Sequence, residues 1–130
     1  MTTDLWMLVW SAALTLAIPN IYIAGYAPLK GALAWGMGNR DDSYEMPAWV
    51  NRSKRAHVNM LENLAPFAVL VLVTHVAGKA NATTAMWATV FFWSRVVHFV
   101  VYAVGIPYVR TLVFIASLVA QVRILRVLLA

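Results

Sequence analysis

Long apolar stretches alternate with short polar ones along the chain, and each apolar stretch is long enough to cross a bilayer. The first runs over residues 5–27 without a charged side chain, and about 20 apolar residues in a helix span the hydrocarbon core. Similar stretches follow at about 54–77, 84–106 and 109–130. The pattern therefore predicts an all-α fold, an integral membrane bundle of four transmembrane helices, formed by one domain over residues 1–130.

The one long polar segment lies between the first two predicted helices, at residues 28–53. Glycine, asparagine and aspartate cluster near its middle, and these residues favour turns, while Pro47 is expected to break any helix. Together with the start of the second helix, the segment carries half of the ten basic side chains. Because basic loops stay on the cytoplasmic side of a membrane, we expect the 28–53 loop in the cytoplasm and both termini on the opposite side.

Two of the predicted helices carry a stripe of polar side chains within an otherwise apolar span. The stripes consist of Arg52, Arg55, Asn59 and Glu62 on the second helix and of Arg95, His98 and Tyr102 on the third. A charge in the middle of a membrane helix costs about 2.5–3.5 kcal/mol on insertion scales, so it persists only where it faces protein, a cavity or a ligand. One interpretation is an ion pair between Glu62 and Arg95 that fixes helix packing, and the other is a binding site.

Composition excludes several classes of function. Hydrophobic residues make up 62% of the chain, against roughly 45–50% in a soluble domain, so lipid is the expected solvent. The net charge of +5 comes from basic residues spread over loops and helix ends, which fits membrane flanks and argues against nucleic acid as a partner. Without cysteine, any thiol must arrive with a ligand, and the three scattered histidines do not have the spacing of a metal site.

Bases outnumber carboxylates among the polar residues near the expected cytoplasmic side, which predicts a site for a small anion that also carries an amine or amide. The candidates are Arg52, Arg55, His57, Asn59, Glu62, His98, Tyr102 and Arg110. Arginine clamps carboxylates in bidentate fashion, and a glutamate accepts from an amine. Tyr102 or Thr111 could donate a hydrogen bond to a developing anion. The alternative for His57 is a hydrogen bond to a loop carbonyl, and Asn63 is expected to hold helices together.

The segment RAHVNMLEN at residues 55–63, followed by Pro66 and Phe67, resembles the signature of the MAPEG family, the membrane-associated proteins in eicosanoid and glutathione metabolism. Arg95-Val-Val-His98 with Tyr102, then Pro107 and Arg110-Thr111, is similar to the third helix and following turn of that family, and Gly38-Asn39-Arg40-Asp41 resembles its short bacterial branch. The resemblance implies a homotrimer in a bacterial inner membrane, with one glutathione site at each subunit interface, open to the cytoplasm.

The same resemblance implies roles for individual residues. Glutathione, the implied co-substrate, would be bound by Arg55, His57, Asn59, Glu62, Arg95, His98 and Tyr102, and Arg110 with Thr111 would be the catalytic residues that stabilise its thiolate. The implied function is a glutathione-dependent transferase or peroxidase of detoxification. Its thiolate would attack hydrophobic electrophiles or reduce lipid hydroperoxides dissolved in the membrane, and no metal is expected.

Three features depart from the family pattern. Val58 stands where several eicosanoid-forming members have an arginine, Phe114 stands where some have a tyrosine, and the first helix buries no basic residue. These departures argue against a specialised eicosanoid synthase. They leave open a non-catalytic trimer that binds lipids or partner proteins at inter-subunit grooves. A proton-coupled exporter using Glu62 is a third possibility, which the expected pairing of that residue with Arg95 argues against.

Overall fold

All secondary-structure elements of the protein are helices. A computed structural model describes every residue, Met1–Ala130, and contains α1 (Thr3–Tyr26), α2 (Ala32–Met37), α3 (Ala48–Val76), α4 (Ala82–Val104) and α5 (Pro107–Leu129). The four helices other than α2 are each long and apolar enough to cross a membrane. The prediction of an all-α protein with four membrane-spanning helices is confirmed.

The structure corrects the prediction for the segment between the first two long helices. Residues 28–53 are not one continuous loop, because α2 forms within them and α3 begins at Ala48, ahead of the predicted start near Lys54. Pro47 lies at the N-cap of α3 with φ −52°. A proline has no N–H to lose at a helix start and its φ suits one, so this residue opens the helix that it was expected to interrupt.

The connections between the last three helices are short turns with defined stop and start signals. Gly78 and Gly105 have φ of +67° and +98°, a left-handed conformation that residues with a Cβ rarely adopt. At the start of α4, the Asn81 side chain accepts from the N–H of Thr84 at 3.2 Å while the Thr84 hydroxyl oxygen accepts from the N–H of Asn81 at 2.9 Å. This reciprocal pair is a capping box, and it brings α4 back antiparallel to α3.

Two basic side chains cap the C-termini of neighbouring helices. Arg52, at the start of α3, donates from Nε to the Ala103 carbonyl at 3.0 Å near the end of α4. Lys79, in the turn after α3, donates to the Leu128 carbonyl at 2.8 Å near the end of α5. The last carbonyls of a helix have no intrahelical partner, so such donors stabilise both ends of the bundle. The loop end, with α2 and the α4–α5 turn, thus lies opposite the terminal end, with both chain termini.

The centre of the bundle is an aromatic stack between α3 and α4. Phe67 and Phe91 are fully buried, with ring centroids 3.8 Å apart and planes 12° from parallel. Ala120 and Ile124 of α5 complete this core. Nearby, the Gln121 amide donates to the Asn63 side-chain oxygen at 3.3 Å across α3 and α5, which is the packing role that the sequence predicts for Asn63.

Removing one ring of the stack is expected to weaken the fold. We expect Phe67→Ala to lower the free energy of unfolding by about 3 kcal/mol, the lower end of the range for soluble cores. Lipid is as apolar as the core, so the substitution loses the packing of the ring but little free energy of transfer from the solvent. The measurement is reversible unfolding in mixed micelles. Val69→Ala is the control, since Val69 is 60% exposed, and it should change stability by less than about 0.5 kcal/mol. Equal losses in both variants would contradict the assignment of the core.

Candidate functional site

A cavity of about 500 Å³ lies between α3, α4 and α5 near the loop end of the bundle. It is lined by Lys54, Arg55, Val58, Asn59 and Glu62 from α3, His98 and Tyr102 from α4, and Arg110, Thr111 and Phe114 from α5. Spacings of three and four residues place the α3 side chains on one face of that helix. The volume falls within the roughly 300–1,000 Å³ of small-molecule sites.

Most of the predicted site residues meet in this cavity, and three candidates do not line it. The Nδ1 atom of His57 lies 3.5 Å from the hydroxyl of Tyr22, so its ring is directed toward α1 and away from the cavity. Arg52 is engaged as the cap of α4 and lines only a smaller neighbouring cavity of about 120 Å³. The third is Arg95, which lies inside the bundle.

Arg95 does not form the expected ion pair with Glu62. Its side chain is 1% exposed, with Nη2 donating to Asn59 Oδ1 at 2.7 Å and Nε to Met60 Sδ at 3.4 Å. Its Nη1 atom is buried without a partner. Fully buried Met60 and exposed Glu62 are two positions apart on α3, about 200° around the helix, so Arg95 follows the inner face while Glu62 lies on the outer one.

The bond from Arg95 decides what Asn59 offers to the cavity. Because the side-chain oxygen of Asn59 already accepts from the Arg95 guanidinium, the amide nitrogen is the group left to bind a ligand. That nitrogen makes no hydrogen bond within the protein, and Asn59 lines the cavity. An amide N–H₂ held this way is a donor for a carboxylate or a carbonyl. Arg95 therefore shapes the cavity through Asn59 although it does not line the cavity itself.

The electrostatics of the cavity favour an anion. Arg55 and Arg110 lie over the ring of Tyr102, with guanidinium carbons 6.0 and 4.7 Å from its centroid. These contacts fix two flexible cations in place. With Lys54, three cations line the cavity against one carboxylate, Glu62. Low-dielectric walls focus such a field and raise the local concentration of anions.

The structure refines the predicted role of Thr111, adds Lys54 to the residues that line the cavity, and places the two departures from the family pattern, Val58 and Phe114, in its wall. The Thr111 hydroxyl donates to the Pro107 carbonyl at 3.2 Å, so its proton is already engaged.

Lys54 was outside the predicted site because it lies about 100° off the polar stripe of α3, yet it lines the cavity. Val58 and Phe114 form an apolar wall there. Nowhere in the chain do three or more metal-ligating side chains gather.

Loss of the buried Arg95 charge should not destabilise the protein. Replacing a buried ionic group by an apolar one of similar volume is often neutral or stabilising by about 1–4 kcal/mol, and Asn59 can turn to water in the cavity. We therefore expect Arg95→Met to unfold in mixed micelles at equal or higher denaturant than the wild type. Arg95→Ala, which leaves a void, should lose at least about 2 kcal/mol. Comparable destabilisation of the Met variant would show that the bond to Asn59 holds the helices together.

Comparison of the sequence with known proteins identifies the family to which the chain belongs. Residues 5–130 match the model of the MAPEG family. Human microsomal glutathione S-transferase 1 is 29% identical over 83 residues, 63% of this chain and 54% of that protein. Mouse microsomal glutathione S-transferase 1 is 34% identical over 58 residues, 45% of this chain and 37% of that protein. The aligned part thus spans about half the length of these relatives or less, and no solved structure matches significantly. Because the family model covers nearly the whole chain and every cavity residue, the protein is an integral membrane protein of the MAPEG family.

Proposed function

We propose that the cavity binds glutathione and that the protein is a glutathione-dependent membrane transferase or peroxidase. The observation that carries the proposal is the charge pattern of the cavity. Glutathione in its thiolate form has three anionic groups, which are two carboxylates and the sulfur, and one ammonium. The cavity offers three cations and one carboxylate, so each charged group of the ligand has an opposite partner. The names of the two relatives also point to glutathione.

Glu62 is the proposed partner of the ligand ammonium. It is the only acid that lines the cavity, and it lies about two helical turns after Arg55 on α3. The α-carboxylate of the ligand is bonded to the same carbon as the ammonium, so it would lie against the Asn59 amide nitrogen and Arg55. His98 and Tyr102 would form the floor beneath the peptide, since their rings pack together at 5.5 Å.

Arg110 is the proposed activator of the thiol. A free thiol has a pKa near 8.5, and a neighbouring guanidinium lowers that pKa; each unit corresponds to about 1.36 kcal/mol. The Arg110 side chain is held over the Tyr102 ring, so its charge is fixed before the ligand arrives. Its contact with the sulfur would favour the thiolate, which is the nucleophile.

The thiolate would then react with a substrate from the lipid. In conjugation, sulfur forms a bond to an electrophilic carbon and the leaving group departs with the electron pair. In peroxide reduction, sulfur attacks the O–O bond, releasing the alcohol after protonation and leaving a sulfenic acid, which a second glutathione converts to the disulfide and water. Val58 and Phe114 line the cavity, so an apolar substrate has a wall to contact beside the sulfur.

A non-catalytic alternative rests on the same two apolar residues. If the wall formed by Val58 and Phe114 served to bind acyl chains, the protein would be a lipid- or partner-binding trimer without turnover. Such a protein would bind glutathione weakly or not at all.

The proposed assembly is a homotrimer with each site closed by a neighbouring subunit. Glu62 is exposed on a single chain, yet it belongs to a helix that can span the membrane. A carboxylate there would face lipid at a cost of several kcal/mol unless protein covers it. A neighbouring copy packed beside α3 would provide that cover.

Catalysis by Arg110 predicts a split between turnover and binding. At pH 7 we expect Arg110→Met to lower kcat for chlorodinitrobenzene conjugation, by about tenfold for each unit by which the pKa of the bound thiol rises. The change in KM for glutathione should be smaller. Its rate should recover as the pH rises toward the pKa of the free thiol. Glu62→Gln should instead raise KM for glutathione, because it removes the proposed partner of the ligand ammonium. The matched control is Arg123→Met, since Arg123 lies near the terminal end over Trp87; this variant should be unaffected. Full activity of Arg110→Met at pH 7 would exclude the mechanism.

Orientation in the membrane can be tested cleanly because the chain has no cysteine. We expect the loop end to lie in the cytoplasm, following the bias of basic residues. A cysteine at Ser43 should therefore resist a membrane-impermeant maleimide in intact cells and react after permeabilisation. A cysteine at Ala77, in the turn at the terminal end, should react without permeabilisation. The reverse labelling pattern would contradict the proposed orientation.

A further inference from the structure

A polar cavity lies at the terminal end of the bundle, opposite the candidate site. It has a volume of about 290 Å³ and forms where the start of α1 meets the turn before α4 and the first turn of α4. It is lined by Thr2, Thr3 and Asp4 on one side and by Ala80, Asn81, Ala82 and Ala85 on the other. None of these residues lines the cavity between α3, α4 and α5.

Asp4 is the only acidic residue of the chain that is buried, with a side chain that is 2% exposed. Its Oδ1 atom accepts from the Leu5 N–H at 3.1 Å, whereas its Oδ2 atom is buried without a hydrogen-bond partner. A buried carboxylate oxygen without a donor costs free energy, and a donor brought by a ligand would recover it.

The surroundings of Asp4 stabilise its charge but do not supply that donor. Asp4 lies in the first turn of α1, and Ala82 and Ala85 of the opposite wall lie in the first turn of α4. Each helix start carries about half a positive charge, which favours a carboxylate between them. Since Oδ2 nevertheless has no partner, what the cavity requires is a hydrogen-bond donor and not positive charge alone.

The cavity lies at the level of the lipid headgroups. Trp6 and Trp10 of α1 are 45% and 50% exposed, and their ring centroids stack 6.3 Å apart. Exposed tryptophans on membrane helices gather at the boundary between hydrocarbon and water. Asp4 precedes both of them on α1, so the groups that reach it from the membrane are headgroups and not acyl chains.

An adjoining cavity adds a cation. It has a volume of about 420 Å³, shares Ala80 and Asn81 with the first cavity, and is also lined by Lys79. The Lys79 ammonium donates to the Leu128 carbonyl at 2.8 Å, which holds it in place and leaves its remaining N–H groups for a ligand. The terminal end therefore presents a hydrogen-bond acceptor and a cation side by side, which is complementary to a zwitterion.

We propose that these two cavities bind the headgroup of a phospholipid that carries a primary ammonium, with the ammonium at Asp4 and the phosphate at Lys79. A primary ammonium has N–H groups to donate to Oδ2, whereas the quaternary ammonium of a choline headgroup has none. Because Oδ2 is buried, the exposed residues Thr2 and Thr3 would move aside to admit the ligand. The inference does not depend on glutathione binding at the other end of the bundle.

The test compares phosphatidylethanolamine with phosphatidylcholine, which share the phosphate and differ in the N–H groups of the ammonium. Native mass spectrometry of protein from micelles that contain both lipids in equal amounts measures which lipid stays bound. We expect the wild type to prefer phosphatidylethanolamine by about tenfold or more, as a hydrogen bond between charged groups requires. Asp4→Asn should lose most of that preference. Lys79→Met should weaken both lipids alike and keep the preference.

A stability measurement separates a lost contact from a misfolded variant. Added phosphatidylethanolamine should raise the denaturant midpoint of the wild type in mixed micelles but not that of Asp4→Asn, because a ligand stabilises the folded state that binds it. In phosphatidylcholine alone, the variant should be at least as stable as the wild type, since it removes a buried charge that has no ionic partner. Asp41→Asn, the matched control at an exposed position of the loop end, should respond to both lipids as the wild type does.

Three results would overturn the inference. The first is equal retention of the two lipids by the wild type, and the second is an unchanged preference in Asp4→Asn. The third concerns glycerophosphoethanolamine, which is the same headgroup without acyl chains. If it bound as tightly as the lipid, the site would serve a soluble amine and not the membrane.

Discussion

The constraint on which this structure depends is that a charge cannot face hydrocarbon cheaply, since an ionised side chain in mid-membrane costs about 2.5–3.5 kcal/mol or more. The protein meets it in two ways on a single helix. Asn59 and Met60 of α3 accept hydrogen bonds from Arg95, which places one cation inside the bundle. The outer face presents Glu62 to a cavity that three other cations share. The placement of these charges on α3 therefore defines the candidate site, while the apolar core holds the helices together.

The two faces of α3 are linked by the side chain of Asn59. Its oxygen is bound to a guanidinium on the inner side, and its nitrogen is left for the cavity. This arrangement lets a buried arginine fix the donor pattern of a site that it does not line. Above it, the segment holding α2 packs against the ends of α1 and α3 and fixes Lys54. A buried charge thus fixes one donor of the cavity, and the rings of Tyr22, Tyr26 and Trp35 position Lys54 at its loop end.

Because membrane helices must be long and apolar, the sequence predicts much of the fold and part of the candidate site. Apolar length alone predicts the four membrane-spanning helices, and helical spacing brings Arg55, Asn59 and Glu62 to one face. Spacing could not show which side of α3 Arg95 approaches, because that depends on how α4 packs, and the predicted ion pair with Glu62 was wrong for this reason. The three aromatic rings around Lys54 could not be predicted from the sequence either. The rings of Tyr22 and Tyr26 belong to α1 and that of Trp35 to α2, and they meet around Lys54 only after the polar segment folds back.

The proposed function requires the cavity to bind glutathione as a thiolate, with each charge of the peptide matched by the protein. Calorimetric titration of glutathione into the protein in nanodiscs, repeated near pH 7 in buffers of different ionisation enthalpy, measures affinity and proton release together. We expect saturable binding with release of close to one proton for each glutathione bound, because the thiol would ionise on entering the field of Arg110. Absence of binding at millimolar glutathione would contradict it.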